Sequence, residues 1–212
     1  MTYEFELNYF RGPLNAWIFK ALSSYMNRLF GDSKRKLFEG HPSTVVEIGP
    51  GAGANMRYYS KGTNLIAIEP NLHMHENLHK SAYQYGINLK IRSLVGEAID
   101  LPDNSYEFVV STLVLCSVHD PEMVLQQIKR ILKPDGKFVF IEHVKAKENT
   151  FLAWFQRLIH KPWHWFFEGC HTNRDTASIL QSIGFSSLTI ENYNQYSPFV
   201  AIIPQIRGRA IK

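Results

Sequence analysis

Cysteine is nearly missing from this chain: Cys116 and Cys170 are the only two in 212 residues, and they form no CxxC and no close pair. A disulfide scaffold and a thiolate zinc site are therefore not expected, and a reducing, cytoplasmic setting is. Long apolar runs are absent too, since nothing approaches the roughly 18 apolar residues of a membrane span. The opening Met-Thr-Tyr-Glu-Phe-Glu carries acid where a secretory signal would carry positive charge, so neither secretion nor spanning is expected. There is no internal repeat, low-complexity tract or Ser/Gly-rich linker that would divide the chain.

What is present is an ordinary globular composition, 45% hydrophobic and 20% charged. The length suits one domain spanning 1–212. The formal charge is +4, but the basic residues are scattered and their largest cluster is Lys34-Arg35-Lys36. That reads as a solvated face, and no nucleic-acid partner is expected.

Leu14, Trp17, Ile18, Ala21, Leu22, Tyr25, Met26, Leu29 and Phe30 recur at i, i+3, i+4, i+7, which predicts an amphipathic helix from Pro13 to about Leu37. It would cap the core, act as a lid, or touch a membrane peripherally through Trp17 and Phe30 beside Lys20 and Arg28. Short apolar runs then alternate with helical stretches. The strands are Thr44–Ile48, Leu65–Glu69, Leu89–Arg92, Phe108–Leu115 and Lys137–Glu142, and the helices His73–Tyr85 and Met123–Leu132. This alternation predicts βαβ units and a parallel sheet with right-handed crossovers. A later helix, Arg174–Ile183, precedes strands at Ser187–Glu191 and Gln205–Ile211, close enough in sequence to pair antiparallel.

The first strand runs into Gly49-Pro50-Gly51-Ala52-Gly53, where the glycines allow a sharp turn and close approach to a ligand. Taken alone the pattern also fits dinucleotide sites and plain turns. Glu47, two residues before Gly49, would receive the ammonium of an amino-acid ligand, directly or through water, and would repel a pyrophosphate. Glu69, at the end of the next strand and followed by Pro70 and Asn71, is placed to accept hydrogen bonds from ribose hydroxyls. Gly96-Glu97-Ala98 follows the third strand, where a small-residue turn could hold an adenine edge, or the Glu could simply be solvated.

In that order these motifs, with Leu132-Lys133-Pro134-Asp135-Gly136 after them, resemble the class I methyltransferases over about Thr44 to Glu142. The resemblance implies an α/β, Rossmann-like fold: a mostly parallel seven-stranded sheet flanked by helices, with the last strand antiparallel. It implies S-adenosylmethionine as cofactor, contacted by Glu47, Gly49, Pro50, Gly51, Gly53, Asn55, Glu69, Pro70, Asn71, Gly96, Glu97, Ala98, Thr112 and Leu113. Residues 1–40 would then form an N-terminal cap, 41–145 the cofactor half and 146–212 the acceptor side with a lid. A narrower resemblance, to methyltransferase-like proteins that methylate alkyl thiols, rests on Gly53-Ala54-Asn55, Thr112 to Val118, Glu142-His143-Val144, Trp163-His164, Gly169-Cys170, Thr172-x-Arg174 and Gly208-x-Ala210-Ile211-Lys212. It makes a small, hydrophobic thiol the favoured acceptor, with a phenol, quinone or lipid headgroup as the alternative and a non-catalytic binding module as a third. Pro50 stands where that family commonly has Cys. Its apolar N-terminal membrane segment has no counterpart in the residues here, so membrane anchoring by that route is not expected.

Methyl transfer from a sulfonium is an in-line displacement that needs alignment and, for some acceptors, a base. His119 and His143 are the candidate catalytic groups, and Tyr9, Trp163, Cys170, His171 and Arg174 the candidate acceptor contacts; Arg174 could instead cap a helix. The aromatic stretch around Trp154-Phe155 and Trp163 to Phe167 would line an apolar pocket, with Tyr9 or Phe10 closing over the sulfonium. His75-Glu76-Asn77-Leu78-His79 matches the HExxH zinc pair, but nothing marks a third ligand, so a solvated helix face and no metal are expected.

Overall fold

The computed structural model describes Phe5 and residues 8–212. The elements run α1 (Arg11–Phe38), β1 (Thr44–Ile48), β2 (Asn64–Ile68), α2 (Leu72–Tyr85), β3 (Asn88–Arg92), β4 (Tyr106–Thr112) and α3 (Pro121–Ile131). They continue with β5 (Leu132–His143), α4 (Phe151–Phe166), α5 (Thr176–Ser182), β6 (Ser187–Asn194) and β7 (Pro204–Ile211). The seven strands form one sheet in the order β3-β2-β1-β4-β5-β7-β6. Strands β1 to β5 are parallel, and β7 lies antiparallel to both its neighbours.

Central strands are covered on both faces, which is why β1 and β4 read as continuous apolar runs. Val46, Ile48, Val109, Leu125, Ile128 and Phe138 close one face, while Val45, Leu65, Leu78, Val110 and Phe38 close the other. Helix starts are fixed chemically: the side chains of Asn71 and Asp120 accept from the backbone N–H of His73 and Met123, and Pro121 opens α3. From β1 the chain winds outward through β2 to β3 and then returns to β4 on the other side of β1. The carboxyl ends of β1 and β4 therefore flank the topological switch point, where open α/β sheets leave a crevice.

Three expectations are corrected. The helix foreseen at Arg174–Ile183 is shorter, Thr176–Ser182, because the Asp175 carboxylate caps it and leaves Arg174 outside. The aromatic stretch is a helix, α4, on which Phe151, Trp154 and Trp165 are exposed, so only part of it can line a pocket. Helix α1 forms as foreseen and buries Phe30, but Leu14 and Trp17 of its apolar stripe stay exposed.

Candidate active site

The three glycines of the turn after β1 have different reasons to be glycine. All have positive φ, at 60°, 57° and 83° for Gly49, Gly51 and Gly53. A Cβ on Gly49 would meet Val114 at 2.6 Å, and one on Gly53 would meet Ser81 at 2.7 Å. A Cβ on Gly51 would meet nothing within 4 Å. Two of the glycines are thus packing requirements, and Gly51 alone adjoins open space at the switch point. Pro50 is buried between them.

Glu47 lies within β1. It is fully buried, and its carboxylate accepts from Asn55 Nδ2 at 2.6 Å and from the Tyr59 hydroxyl at 2.8 Å. Burial raises its pKa, against the hydrogen bonds of Tyr59 and Asn55 and the charge of Lys34. Lys34 is itself buried and pushed down to about 8 by desolvation. Each Glu47 oxygen accepts one hydrogen bond, and the contact with Nδ2 holds Asn55 in place beside the turn. Asn55 Nδ2 also donates to Thr112 Oγ1 at 2.9 Å, which leaves Asn55 Oδ1 buried with no partner. The contact with the Glu47 carboxylate fixes which end of the amide is the NH2. Sequence reasoning missed Lys34 and Tyr59, which act on β1 from other elements.

Glu69, at the end of β2, accepts from Gly51 N–H at 2.9 Å and from Asn71 N–H at 3.0 Å. One side chain thereby ties the glycine turn to the start of α2. Burial raises its pKa to about 7, against those two backbone bonds and with the charges of Glu168 and Glu47 adding to the shift. Asn71 Nδ2 donates to the Glu168 carboxylate, a contact 97 residues away in sequence that no local pattern signals. Pro70, half-buried, separates the two. Glu97 is not solvated: it lies in a short 3-10 turn, Gly96–Ala98, is buried, and accepts from Asp120 N–H at 3.1 Å. Gly96 packs against Val124, while Ala98 is exposed. Leu113, just beyond β4, takes φ +59° with its N–H on Ile141, a backbone strain of the kind that collects at functional sites.

On the acceptor side, the expectation of two unrelated cysteines is corrected. Cys116 follows β4 and Cys170 follows α4, and their Sγ atoms lie 3.6 Å apart. Spacing along the chain could not show this, because β4 and β5 are brought together by the sheet. His143, the last residue of β5, is buried with Nε2 3.1 Å from Cys170 Sγ, so it faces this pair. The Trp163 indole N–H donates to Cys170 Sγ at 3.3 Å. Cys170 is drawn below the usual thiol range by its hydrogen bond with Cys116, against burial and with help from Trp163. Cys116 is pushed well above that range by the same contact and by burial.

Arg174 caps no helix. Its Nη1 donates to the carbonyls of Leu115 and Val118 at 2.6 and 2.7 Å, and His171 N–H donates to Cys116 O, so the segment after α4 is stitched to the loop after β4. The His171 ring lies against those of His160 and His164, and burial with the charge of Arg174 lowers its pKa to about 4. His119 is exposed beyond the same loop. Tyr9 is also exposed, its ring edge-on to His73 rather than near the cysteines. In the HExxH stretch, Glu76 pairs with Lys80 on the surface and His75 contacts the Glu69 carbonyl.

A switch-point crevice, a glycine turn bridged by the acid that follows β2, and a β7 inserted antiparallel define a Rossmann-like, S-adenosylmethionine-dependent methyltransferase. The description of a methyltransferase domain matches residues 46–140. A crystal structure of a SAM-dependent methyltransferase from Aquifex aeolicus shares the fold with a TM-score of 0.65, covering 94% of this chain and 97% of that one at 17% identity. Thiol S-methyltransferase TMT1B of Rattus norvegicus is 31% identical across 96% of this chain and 85% of its own length. Thiol S-methyltransferase TMT1A of Homo sapiens is 33% identical across 88% and 81%. The chain belongs to the family of these two proteins, and it is an enzyme that transfers a methyl group to a small-molecule acceptor.

Proposed function

We propose that this enzyme methylates the sulfur of small apolar thiols. The observation that carries the reading is the group Cys116, His143, Cys170 and Trp163 at the carboxyl ends of β4 and β5, beside the cofactor turn. The names of the relatives that cover most of the chain support it.

The residues of the crevice fit S-adenosylmethionine, which when bound supplies an electrophilic methyl group on a sulfonium. Asn55 Oδ1, buried and unpartnered, would accept from the amino-acid ammonium beside Glu47, whose oxygens each keep a lone pair. Glu69 keeps lone pairs free for the ribose hydroxyls while its backbone contacts hold it still. Gly51 gives the ligand room, and Ala98 lies exposed at the turn where an adenine edge would rest. Trp163, packed at 4.4 Å on Phe167, gives an acceptor chain an apolar wall. A free thiol of pKa about 8.5 is mostly protonated at neutral pH, so the site must favour its thiolate. His119 is the exposed imidazole that can pass the proton to solvent.

A specific observation also favours meeting the acceptor at a membrane surface. Phe151, Trp154, Leu158 and Trp165 are exposed along one stripe of α4, and Arg11 of α1 bonds to the Trp165 carbonyl, bringing the exposed Trp17 helix alongside. Arg157 and Lys161 border the stripe. No helix among the described residues is long and apolar enough to cross a membrane.

A labelled-methyl screen over alkyl thiols, phenols, amines and phospholipids tests the acceptor. Labelled thioether from alkyl thiols is expected, and a product only from oxygen or nitrogen acceptors overturns the thiol reading. Sedimentation with anionic liposomes, repeated with Trp154→Ser, tests the surface, and equal recovery in the supernatant for both proteins refutes it.

A further inference from the structure

The sulfur and nitrogen atoms of Cys116, His143 and Cys170 converge from three separate segments, all within 4.8 Å of one another. The three residues are 2%, 2% and 7% exposed. Tetrahedral zinc, with Zn–S about 2.3 Å and Zn–N about 2.0 Å, sets its sulfur ligands about 3.8 Å apart and sulfur to nitrogen about 3.5 Å. The distances of 3.6 Å between the sulfurs and 3.1 Å from His143 Nε2 to Cys170 Sγ need only small outward shifts to reach that geometry. His143 turns Nε2 toward Cys170, so Nε2 is the ring nitrogen placed to ligate.

Charge agrees. Two thiolates neutralise a divalent ion, and Arg174, clamped on Leu115 and Val118, sets a positive charge near both sulfurs that offsets one further anionic ligand. The Trp163 N–H on Cys170 is the outer-shell donor that a zinc-bound thiolate takes. Among the described residues no fourth His, Cys, Asp or Glu joins the group, and three protein ligands with an open position is the pattern of reactive rather than structural zinc.

We propose that Cys116, His143 and Cys170 bind one zinc ion and that the acceptor thiol takes its fourth position; the second half rests on the thiol reading above. On coordination the thiol releases its proton to solvent and remains as thiolate. Its sulfur lone pair then forms the bond to the methyl carbon as the sulfonium's carbon–sulfur bond breaks, the bonding pair staying on the departing sulfur. The anionic ligand becomes a neutral thioether, a poor zinc ligand, and leaves.

The test uses the whole chain purified under reducing conditions, with zinc measured by mass spectrometry and the site reloaded with Co2+. Stoichiometric zinc and the visible bands of tetrahedral cobalt with thiolate charge transfer are expected, and Cys116→Ser and Cys170→Ser should each lose them. Trp163→Phe, which removes the N–H on Cys170 and keeps a smaller aromatic ring against Phe167, should keep the bands while weakening zinc about tenfold in competition with a chromophoric chelator. Absence of both zinc and cobalt bands in the wild-type protein, or a Cys116–Cys170 disulfide in their place, overturns the metal site. Addition of an alkyl thiol should shift the cobalt bands. Unchanged bands alongside active thiol methylation overturn the fourth-ligand assignment and leave the proposed function standing. Shifted bands without any thiol methylation instead count against the proposed function and leave the metal site standing.

Discussion

Replacing Glu69 by Gln sets two effects of one carboxylate against each other. In the free protein, holding Glu69 near 7 instead of 4.5 costs its charged form about 3 kcal/mol. Because the folded pKa is raised, the fold keeps its full stability below about pH 4.5 and loses that amount as pH rises through about 7. For a domain of this size about 3 kcal/mol corresponds to roughly 6–12 °C in Tm. The wild-type Tm without ligand should therefore fall between pH 5 and pH 8, and Glu69→Gln should flatten that slope. The amide, however, sets an NH2 against the N–H of Gly51 or Asn71, and it gives up a charged acceptor for the ribose hydroxyls. Charge-assisted hydrogen bonds contribute about 1.5–3 kcal/mol each, so losing one should weaken S-adenosylhomocysteine binding about 10- to 100-fold at pH 8. Scanning calorimetry and titration calorimetry on the same two proteins across pH 5–8 measure both. Unchanged affinity together with parallel Tm slopes would refute both the ribose role and the buried-charge argument.

Three further substitutions separate support from contact. Asn55→Asp puts a second carboxylate 2.6 Å from Glu47 and should lower Tm by about 5–10 °C, read by thermal melting, whereas a melt equal to wild type would mean the Glu47–Asn55–Thr112 chain carries no stability. Gly49→Ala drives a methyl to 2.6 Å from Val114 at positive φ and should cost about 2–4 kcal/mol in urea melts. Gly51→Ala, with open space around it, should cost about 1–2 kcal/mol of backbone strain and show its larger effect as weaker S-adenosylhomocysteine binding. The reverse order would contradict the assignment of ligand space to Gly51.

Periodicity and short-range chemistry determined much of this protein. The apolar runs at Thr44–Ile48 and Leu65–Glu69, the helix at His73–Tyr85, and the glycine turn with an acid one strand later are local signals, since strand burial, helix amphipathicity and turn sterics act over a few residues. Ligand class was legible for the same reason: Gly51 and Glu69 belong to consecutive βα units and meet through a backbone hydrogen bond. Only the tertiary structure decided the rest. Glu47 reads as a ligand contact from its place before Gly49, and only the fold brings Tyr59 and Asn55 to its two oxygens to anchor it. Arg174, read from sequence as an acceptor contact or a helix cap, clamps a loop 56 residues upstream in sequence. Cys116, His143 and Cys170, too far apart to form any motif, meet because parallel pairing of β4 with β5 aligns their carboxyl ends and the segment after α4 folds over both. Sequence spacing specifies neighbours along one element, whereas which strand ends share a crevice follows from sheet order.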